Sequence, residues 1–305
     1  MVLTRATTGY HSVTNSNFNR CLLIDKTPGI TTFDIIRKLR VILGNKLKIG
    51  HGGTLDPFAS GLVIILTGHY TKLQSFIQHS QKQYEGTIEL GYETDTLDIE
   101  GEKVIISKNT IPETIDIKAI ENHVLSLKEQ FPPKFSAIKV NGTPMYKLAR
   151  KKVDIKPKKR EIKVFEFNIH NYKKPYIHFN ITVSGGTYIR SIAKAIGDFI
   201  KIPSTLVELR RTGINEINIK KAVLLDNLKS IKNIEESSID INHLLKLPVC
   251  EIDEIMFYRI KNGRDIETNP DISTDETILL KYKDKFVAIG TKLADNRIHP
   301  KKVLV

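Results

Sequence analysis

One carboxylate of this chain lies in a setting that suits chemistry. Asp56 follows the glycine-rich segment 50–53 (Gly-His-Gly-Gly) and directly precedes Pro57. Glycines allow positive φ and close backbone approach, whereas proline fixes its own φ and removes an N–H. The segment therefore predicts a rigid loop that presents the Asp56 carboxylate as a reactive group. For such a segment taken alone, a tight turn in which the aspartate caps its own backbone is the simpler alternative.

The elements that must position this loop alternate between strands and helices. Apolar strands are expected at 22–25 and 61–66, with a helix N-capped by Thr32 and ended by Gly44 between the first strand and the loop. Apolar spacing predicts further strands at 84–90, 135–140, 162–169 and 176–183, and helices at 117–127, 145–152, 188–200 and around Leu224, Leu225 and Leu228. Asn141-Gly142 is a strong hairpin signal. This interleaving of strands and helices indicates the α+β class.

The charge distribution suggests two domains of unequal size. Residues 1–213 carry 32 Lys and Arg against 19 Asp and Glu, whereas residues 214–305 carry 15 of each. Short strands expected at 250–252, 277–282 and 285–289 make the last part a small β-rich module that would pack on the larger domain. We therefore expect a disordered extension at 1–19, a large domain at 20–244 and the small module at 245–305.

Several classes of protein are disfavoured by the sequence. No apolar run reaches the length of a membrane span, and the first 19 residues lack the apolar core of a signal peptide. Cys21 and Cys250 lie far apart without neighbouring ligands, which disfavours a zinc site or a disulfide framework and favours the cytoplasm. The acidic segment 93–101 lacks the ligand spacing of a calcium loop, and neither a Walker lysine nor a nucleophile elbow is present.

The excess positive charge favours a phosphate backbone as partner. The chain carries a net charge of +13, and its densest basic stretch, 147–163, contains nine Lys and Arg against two acidic residues. Such a patch suits nucleic acid, although a solvated lysine-rich face would look the same. Charge alone leaves these two interpretations open.

A series of short blocks follows one order along the chain. They include Lys26 with Pro28, the segment 50–61 around Asp56, Gly68 with Thr71-Lys72, Lys82-Gln83-Tyr84, Pro133 with Ser136 to Arg150, Gly186 to Arg190, and Leu209-Arg210-Arg211. Together these blocks resemble the TruB family of tRNA pseudouridine synthases over about residues 22–213. The chain departs from the family pattern where Pro28 comes one position late and where His69-Tyr70 replaces small or acidic residues.

The resemblance implies a large mixed-sheet pseudouridine synthase domain and a set of catalytic residues. Asp56 corresponds to the nucleophile, and Arg190 to the guanidinium that keeps this carboxylate ionised. Tyr84 corresponds to the residue that stacks on the base and is a candidate for handling its C5 proton. No cofactor and no metal are implied, and Lys26 is expected to be structural support.

The resemblance also implies how RNA would be held. Tyr188 and the backbone at Leu209 match positions that contact the uracil, and His51 matches a residue that packs on the rearranged loop. The implied substrate is a uridine in the tRNA T loop, at position 55, which must be flipped out of its stack. RNA-backbone contacts are expected from Lys147, Arg150, Lys151, Lys159 and Arg211.

The remaining expectations follow from the same resemblance. The small C-terminal module would be PUA-like, and neither a protein partner nor an oligomer is implied, so a monomer is expected. A non-catalytic tRNA-binding or tRNA-folding protein on the same scaffold is the alternative; the presence of both Asp56 and Arg190 disfavours it. A phosphate-binding metabolic enzyme is disfavoured because no Walker lysine or ribose-binding acid is present.

Overall fold

The computed structural model describes residues 18–151, 153, 157–267 and 273–305. Sixteen described strands precede the C-terminal module. They are β1 Cys21–Lys26, β2 Ile49–His51, β3 Ser60–Thr67, β4 Lys82–Leu90, β5 Tyr92–Thr94, β6 Lys103–Ile106, β7 Glu129–Gln130, β8 Lys139–Val140, β9 Thr143–Pro144, β10 Arg160–Glu161, β11 Val164–Lys173, β12 Tyr176–Val183, β13 Ser204–Ile214, β14 Ile217–Asn218, β15 Val223–Leu224 and β16 Ser238–Ile239.

The module adds five more described strands, and helices occur throughout the chain. The strands are β17 Val249–Glu251, β18 Ile266–Glu267, β19 Thr277–Tyr282, β20 Lys285–Lys292 and β21 Arg297–Val303. The helices are α1 Thr32–Leu43, α2 Gln74–Gln78, α3 Ile117–Ser126, α4 Met145–Arg150, α5 Ile189–Ile200, α6 Ile231–Glu236, α7 Ile241–Leu245 and α8 Glu254–Lys261, with 3₁₀ turns at Gly68–Leu73, Ile219–Lys221 and Leu225–Asn227. None of the described helices is long and apolar enough to cross a membrane.

The large sheet is mixed and brings distant segments side by side. Its strands follow the order β11-β12-β4-β13-β3-β1-β15, with β2 on β3, β14 on β13 and β16 on β1. The β13–β3 and β1–β15 pairs are parallel, and the other pairs along this path are antiparallel. Since β3 directly follows the Asp56 loop, its pairing with β13 places residues 210–211 beside that loop. The α+β class is confirmed.

Each face of the large sheet has its own apolar core. Leu22, Ile24 and Ile88 pack on one face with helices α1, α3 and α5. Leu23, Ile64 and Leu66 face the other way and share a core with residues of the C-terminal module, Leu279, Ile289 and Leu304. This alternation is the period-two pattern of strands buried on both faces. The module therefore packs on the large sheet, as the sequence predicts.

The module itself is a five-stranded sheet. Its strands follow the order β17-β19-β20-β21-β18, with β17 and β19 parallel. The tight turn at Lys283-Asp284 connects β19 and β20, and Lys283 adopts a φ of +53°. The predicted β-rich module is confirmed, and β20 runs three residues further than expected, to Lys292.

Some local predictions are wrong. Thr31, and not Thr32, caps α1, because its side chain accepts a bond from Asp34 N while Asp34 bonds back to Thr31 N in a capping box. Phe33 is 50% exposed on the outer side of this helix. The strand predicted at 135–140 is reduced to Lys139–Val140, although its Asn-Gly hairpin turn is present.

Two further predictions need correction. The helix predicted around Leu224 to Leu228 is only the 3₁₀ turn Leu225–Asn227. The predicted disordered extension, 1–19, lies outside the described residues except for Phe18 and Asn19, which are packed. Phe18 is 8% exposed, and its carbonyl accepts a bond from Thr67 Oγ1 at 2.6 Å. The Asn19 amide donates to the Leu304 carbonyl at 3.1 Å.

Candidate active site

The loop that carries Asp56 connects β2 to β3 and is held through its backbone. Gly52 N donates to the Ile64 carbonyl at 2.8 Å, and Leu55 N donates to Thr32 Oγ1 at 3.1 Å. The Pro57 carbonyl accepts a bond from Gly29 N at 2.9 Å. These bonds join the loop to β3, to α1 and to the segment that precedes α1. The backbone that carries the Asp56 carboxylate is therefore held in one position.

Asp56 forms an ion pair with Arg190, as the sequence predicts. Arg190 Nη2 donates to Asp56 Oδ1 at 3.0 Å, and Nε lies 2.9 Å from Oδ2 without hydrogen-bond alignment. The Arg190 side chain is only 5% exposed, whereas that of Asp56 is 30% exposed. The pair is therefore buried on the arginine side and open to a ligand on the carboxylate side.

The Arg190 guanidinium is fixed by three further contacts. It donates to the carbonyls of Thr96 at 3.0 Å and Phe135 at 3.1 Å, and Nη1 lies 3.2 Å from Asp98 Oδ2. Arg190 lies in the first turn of α5, where its long side chain reaches inward from the helix. Its donors are thus distributed over three separate segments of the chain, which orients the fork toward Asp56.

Asp98 is the acidic residue of this site that sequence reasoning missed. Its Oδ1 accepts bonds from Thr96 Oγ1 at 2.7 Å and from Glu100 N at 3.1 Å. Burial raises the pKa of Asp98, while the Thr96 hydrogen bond and Arg190 oppose that rise. Burial, Asp98 and Asp56 also raise the pKa of Glu100. The available signal in the sequence is the acidic segment 93–101, which does not have the ligand spacing of a calcium loop.

The residues expected to hold the base lie around the same core. Tyr84 and Leu209, on β4 and β13, are 9% and 7% exposed and belong to the core that contains Leu55 and Ile189, the neighbours of Asp56 and Arg190. Among the described residues, no hydrogen bond or ion pair connects Tyr84 or Leu209 to Asp56. Tyr84 and Leu209 therefore share an apolar core with the neighbours of the ion pair.

Tyr188 lies one residue before Arg190's helix begins. Its backbone N donates to Gln130 Oε1 at 3.2 Å. Burial raises the pKa of the Tyr188 phenol, while its hydrogen bond with Ser136 lowers it. Asp56 also raises this pKa, so the phenol lies within the electrostatic reach of the ion pair.

His51 ends β2 at the start of the Asp56 loop. Its Nδ1 accepts a bond from Gly53 N at 3.3 Å, and its carbonyl accepts one from Gln74 Nε2 at 2.8 Å. Burial and, to a lesser extent, the nearby Arg211 lower the pKa of His51. The lowered pKa favours the neutral form of the imidazole at this position.

Lys26 supports the loop from the other side, as expected. It is fully buried, and its Nζ donates to the carbonyls of Thr27 at 3.0 Å, Ile30 at 2.8 Å and Pro57 at 3.1 Å. Burial lowers its pKa to about 8, although Asp56 and Glu100 act to raise it. Lys26 thus holds the residue that directly follows Asp56.

Of the five residues predicted to contact the RNA backbone, four are exposed and one is buried. Lys147, Arg150 and Lys151 are exposed on α4 and at its end, where phosphates could reach them. Lys159 is exposed too, but it forms an ion pair with Glu129. The prediction that Arg211 contacts the RNA backbone is wrong. The residue is 1% exposed and its side chain donates to backbone carbonyls, so no phosphate can reach it.

A cleft of about 740 Å³ lies near the helix that carries Arg190, and neither Asp56 nor Arg190 lines it. It lies between the segment 131–135 and the side of α5 that carries Ser191 and Lys194. The described residues contain no group of three or more His, Cys, Asp or Glu side chains that could hold a metal ion. The chemistry available from the described side chains is that of a carboxylate, a guanidinium and two phenols.

Comparisons with known proteins show to which family this chain belongs. Residues 40–189 match the model of the TruB family pseudouridylate synthase N-terminal domain. The tRNA pseudouridine synthase B of Oenococcus oeni is 37% identical over 94% of this chain and 98% of its own length. That of Clostridium kluyveri is 38% identical over 88% of this chain and 90% of its own.

A solved structure shares the fold at low identity. A chain from the crystal structure of a Cbf5-Nop10-Gar1 complex superposes with a TM-score of 0.67 at 20% identity, over 95% of this chain and 86% of that one. At such identity the likeness bears on the fold alone. It agrees with a large mixed sheet followed by a smaller β-rich module.

Proposed function

Because this chain belongs to the TruB family of pseudouridine synthases, we propose that it isomerises a uridine of the tRNA T loop, at position 55, to pseudouridine. The observation that carries the proposal is the ion pair between Asp56 and the buried Arg190. A partly exposed carboxylate that is paired with a buried guanidinium is a suitable nucleophile for attack on a ribose carbon. The relatives named for this reaction on tRNA cover nearly the whole chain.

The proposed reaction rearranges bonds within one nucleotide. Asp56 attacks C1′ of the ribose as the bond from C1′ to N1 breaks, and the freed base turns until C5 faces C1′. The new bond from C5 to C1′ then displaces the carboxylate, C5 loses its proton, and N1 gains one. Tyr84 is the group that we assign to the C5 proton. Every heavy atom of the uridine is retained and one proton is lost for each proton gained, so the proposed reaction needs no redox partner or cofactor.

Arg190 acts in this scheme through electrostatics. Its cation stabilises the ionised Asp56 before the attack and again when the carboxylate leaves. Since the guanidinium is buried and fixed by the carbonyls of Thr96 and Phe135, it needs no rearrangement during the reaction. Preorganisation of this kind is a large source of rate enhancement in enzymes.

The target base must leave its stack before it reaches Asp56. We propose that Tyr188 and the backbone at Leu209 contact the flipped uracil, while His51 packs against the loop that it leaves. Exposed Lys147, Arg150 and Lys151 supply a sequence-independent attraction for the phosphates. We further propose that the domain of residues 20–244 catalyses the reaction as a monomer in the cytoplasm, with residues 245–305 as a PUA-like module.

The test is incubation of the purified protein with an unmodified T-arm stem-loop, followed by mapping of pseudouridine by carbodiimide labelling. We expect one modified position in the T loop with the natural protein and none with Asp56→Asn, which conserves shape but removes the charge. Both proteins should bind the RNA within a few-fold of each other, because binding depends on many spread charges. Residual turnover above about a thousandth of the natural rate would exclude Asp56 as nucleophile.

Binding without any modification by the natural protein would indicate the alternative, a non-catalytic tRNA-binding or tRNA-folding protein. Modification of a uridine outside the T loop would retain the chemistry and refute the assigned position. These two results are distinguishable on the same labelled RNA.

A further inference from the structure

Arg211 is one of the largest fully buried side chains in the described part of the protein. It lies on β13, opposite Gly61 of β3 and Tyr84 of β4 in the sheet register. Gly61 has a φ of +111°, and a Cβ placed there would lie 2.4 Å from the Arg211 carbonyl oxygen. The glycine therefore allows the two strands to approach closely, and the arginine emerges directly beneath the Asp56 loop.

The guanidinium of Arg211 is bound by backbone carbonyls. Nε donates to Leu62 O at 2.6 Å, Nη1 to Thr54 O at 3.3 Å and Nη2 to Gly53 O at 3.3 Å. Gly53 and Thr54 lie three and two residues before Asp56. The rigid, planar guanidinium thus connects Leu62 of β3 to Gly53 and Thr54, the loop residues that precede Asp56.

No ion pair accounts for this buried charge. Among the described residues, no carboxylate lies within 4 Å of the Arg211 guanidinium, and its charge contributes, after burial, to lowering the pKa of both His51 and Lys82. Burying a cation without a counter-ion costs free energy unless hydrogen bonds replace its hydration. The carbonyls of the loop supply that replacement, so loop conformation and arginine burial depend on each other.

The same loop is held from the opposite side by Lys26, through the Pro57 carbonyl. The carboxylate of Asp56 therefore lies between two anchoring points, both of which bind backbone oxygens rather than the carboxylate itself. The ionic partner of the Asp56 carboxylate is a third residue, Arg190.

We propose that Arg211 is a positioning residue for the nucleophile loop, acting on the proposed isomerisation through the carbonyls of Gly53 and Thr54 and making no contact with RNA. This inference depends on the function proposed above. It distinguishes Arg211 from its neighbour Arg210, whose half-exposed side chain pairs with Asp25 at 2.7 Å on the other face of the sheet.

The test uses Arg211→Lys and Arg211→Ala in the full-length protein, with Arg210→Ala as the matched control. We expect both Arg211 variants to lower the single-turnover rate at saturating T-arm RNA by at least about 30-fold, with the RNA dissociation constant within about threefold. The salt dependence of binding should stay unchanged, because no phosphate contact is lost. Added guanidinium ion, at ionic strength matched with sodium, should raise the rate of Arg211→Ala but not that of Asp56→Asn.

Three results would overturn the proposal. Weaker binding with a reduced salt slope and an unchanged saturating rate would make Arg211 a phosphate contact. An unchanged rate in both variants, or an equal loss of rate in Arg210→Ala, would remove its special role. Should Arg211→Ala fail to fold, Arg211→Lys retains the charge and tests the fork geometry alone.

Hydrogen exchange separates this inference from the proposed function. The amides of Gly52 and Leu55 are hydrogen-bonded, so the peptide that spans 50–58 should exchange faster in Arg211→Lys than in the natural protein. If the natural protein modifies no RNA but this acceleration is seen, the proposed function fails while the positioning role stands. If the exchange is unchanged, the positioning role fails whatever the activity.

Discussion

Asp98 and Asp56 contact different parts of one guanidinium. Asp56 lies against the Nε and Nη2 atoms of Arg190, and Asp98 Oδ2 lies 3.2 Å from Nη1. Asp98 is 3% exposed, and it acts on Asp56 both by direct charge repulsion and through the arginine that they share. The unit that presents the carboxylate is therefore a network of three charges, two of them enclosed by protein.

This network predicts the effect of Asp98→Asn. The substitution conserves shape but removes a charge that helps to orient Arg190, so turnover should fall by at least about tenfold, equal to about 1.4 kcal/mol of barrier. RNA affinity should stay unchanged, because Asp98 is buried. Single-turnover rates and binding isotherms measure the two effects separately. Asp95→Asn, at an exposed position three residues earlier, is the control and should retain the natural rate; equal losses in both variants would contradict the network.

Arg190→Lys should cost far more than conservation of charge suggests. Lysine cannot reproduce the planar fork that contacts Asp56, Asp98 and two backbone carbonyls, and a broken buried pair costs about 3 kcal/mol or more. We expect turnover to fall by at least about 100-fold with little change in RNA affinity. The measurement is the single-turnover rate at saturating RNA. A change confined to the binding constant and its salt slope would instead make Arg190 a phosphate contact.

Lys147→Ala and Lys151→Ala should show the opposite behaviour. Both side chains are exposed, so their loss should weaken tRNA binding and reduce the slope of log affinity against log salt by about one unit each. The rate at saturating RNA should remain that of the natural protein. Titrations at several salt concentrations provide the test, with Lys285→Ala, an exposed residue of the C-terminal module, as a comparison at equal net charge. A lower saturating rate would place α4 in the chemistry instead.

Lys26 predicts a stability effect that depends on pH. Its pKa is about 8 in the folded protein against 10.5 for an ordinary lysine, so between these values the unfolded chain binds more protons. Its contribution to the free energy of unfolding is therefore present above about pH 10.5 and is lost as pH falls through about 8, by at most about 1.4 kcal/mol per pH unit.

Lys26→Met tests that prediction by denaturant unfolding at pH 7, 8, 9 and 10. The variant should be less stable throughout, because the carbonyls of Thr27 and Ile30 lose the Lys26 donor, at about 1–3 kcal/mol for each unsatisfied group before relaxation. The Pro57 carbonyl, by contrast, retains its bond from Gly29 N. The deficit relative to the natural protein should grow as pH rises from 8 to 10. Lys38→Met, which removes an exposed partner of Asp226, should show no such growth. A constant deficit for Lys26→Met would refute the lowered pKa.

Much of the candidate site could be predicted from sequence because its signals are local. Glycines and a proline fix the Asp56 loop through their own backbone preferences, and no distant residue is needed to recognise them. The family resemblance that these blocks carry also implied Arg190 as the partner of Asp56, although the two lie 134 residues apart. Alternating apolar residues predicted the strands of the sheet, since that period follows from strand geometry.

Local propensity failed where tertiary contacts determine the backbone. Residues 135–138 read as a strand, but the Phe135 carbonyl bonds to Arg190 rather than to a neighbouring strand. Phe33 is apolar, yet it lies on the solvent side of α1 with Arg37 positioned over its ring. Hydrophobicity alone does not reveal which side of a helix the sheet will cover.

The roles of the buried charges were decided only by the tertiary structure. In sequence, Arg211 is one basic residue among many and Asp98 one acid in an acidic segment. The parallel pairing of β13 with β3 places Arg211 under the Asp56 loop, and the contact with α5 places Asp98 on Arg190. Burial changes what a charge can do, because an arginine shielded from water binds carbonyls where an exposed one would bind phosphates. Burial is a property of the assembled sheet, so residue type and spacing alone do not determine it.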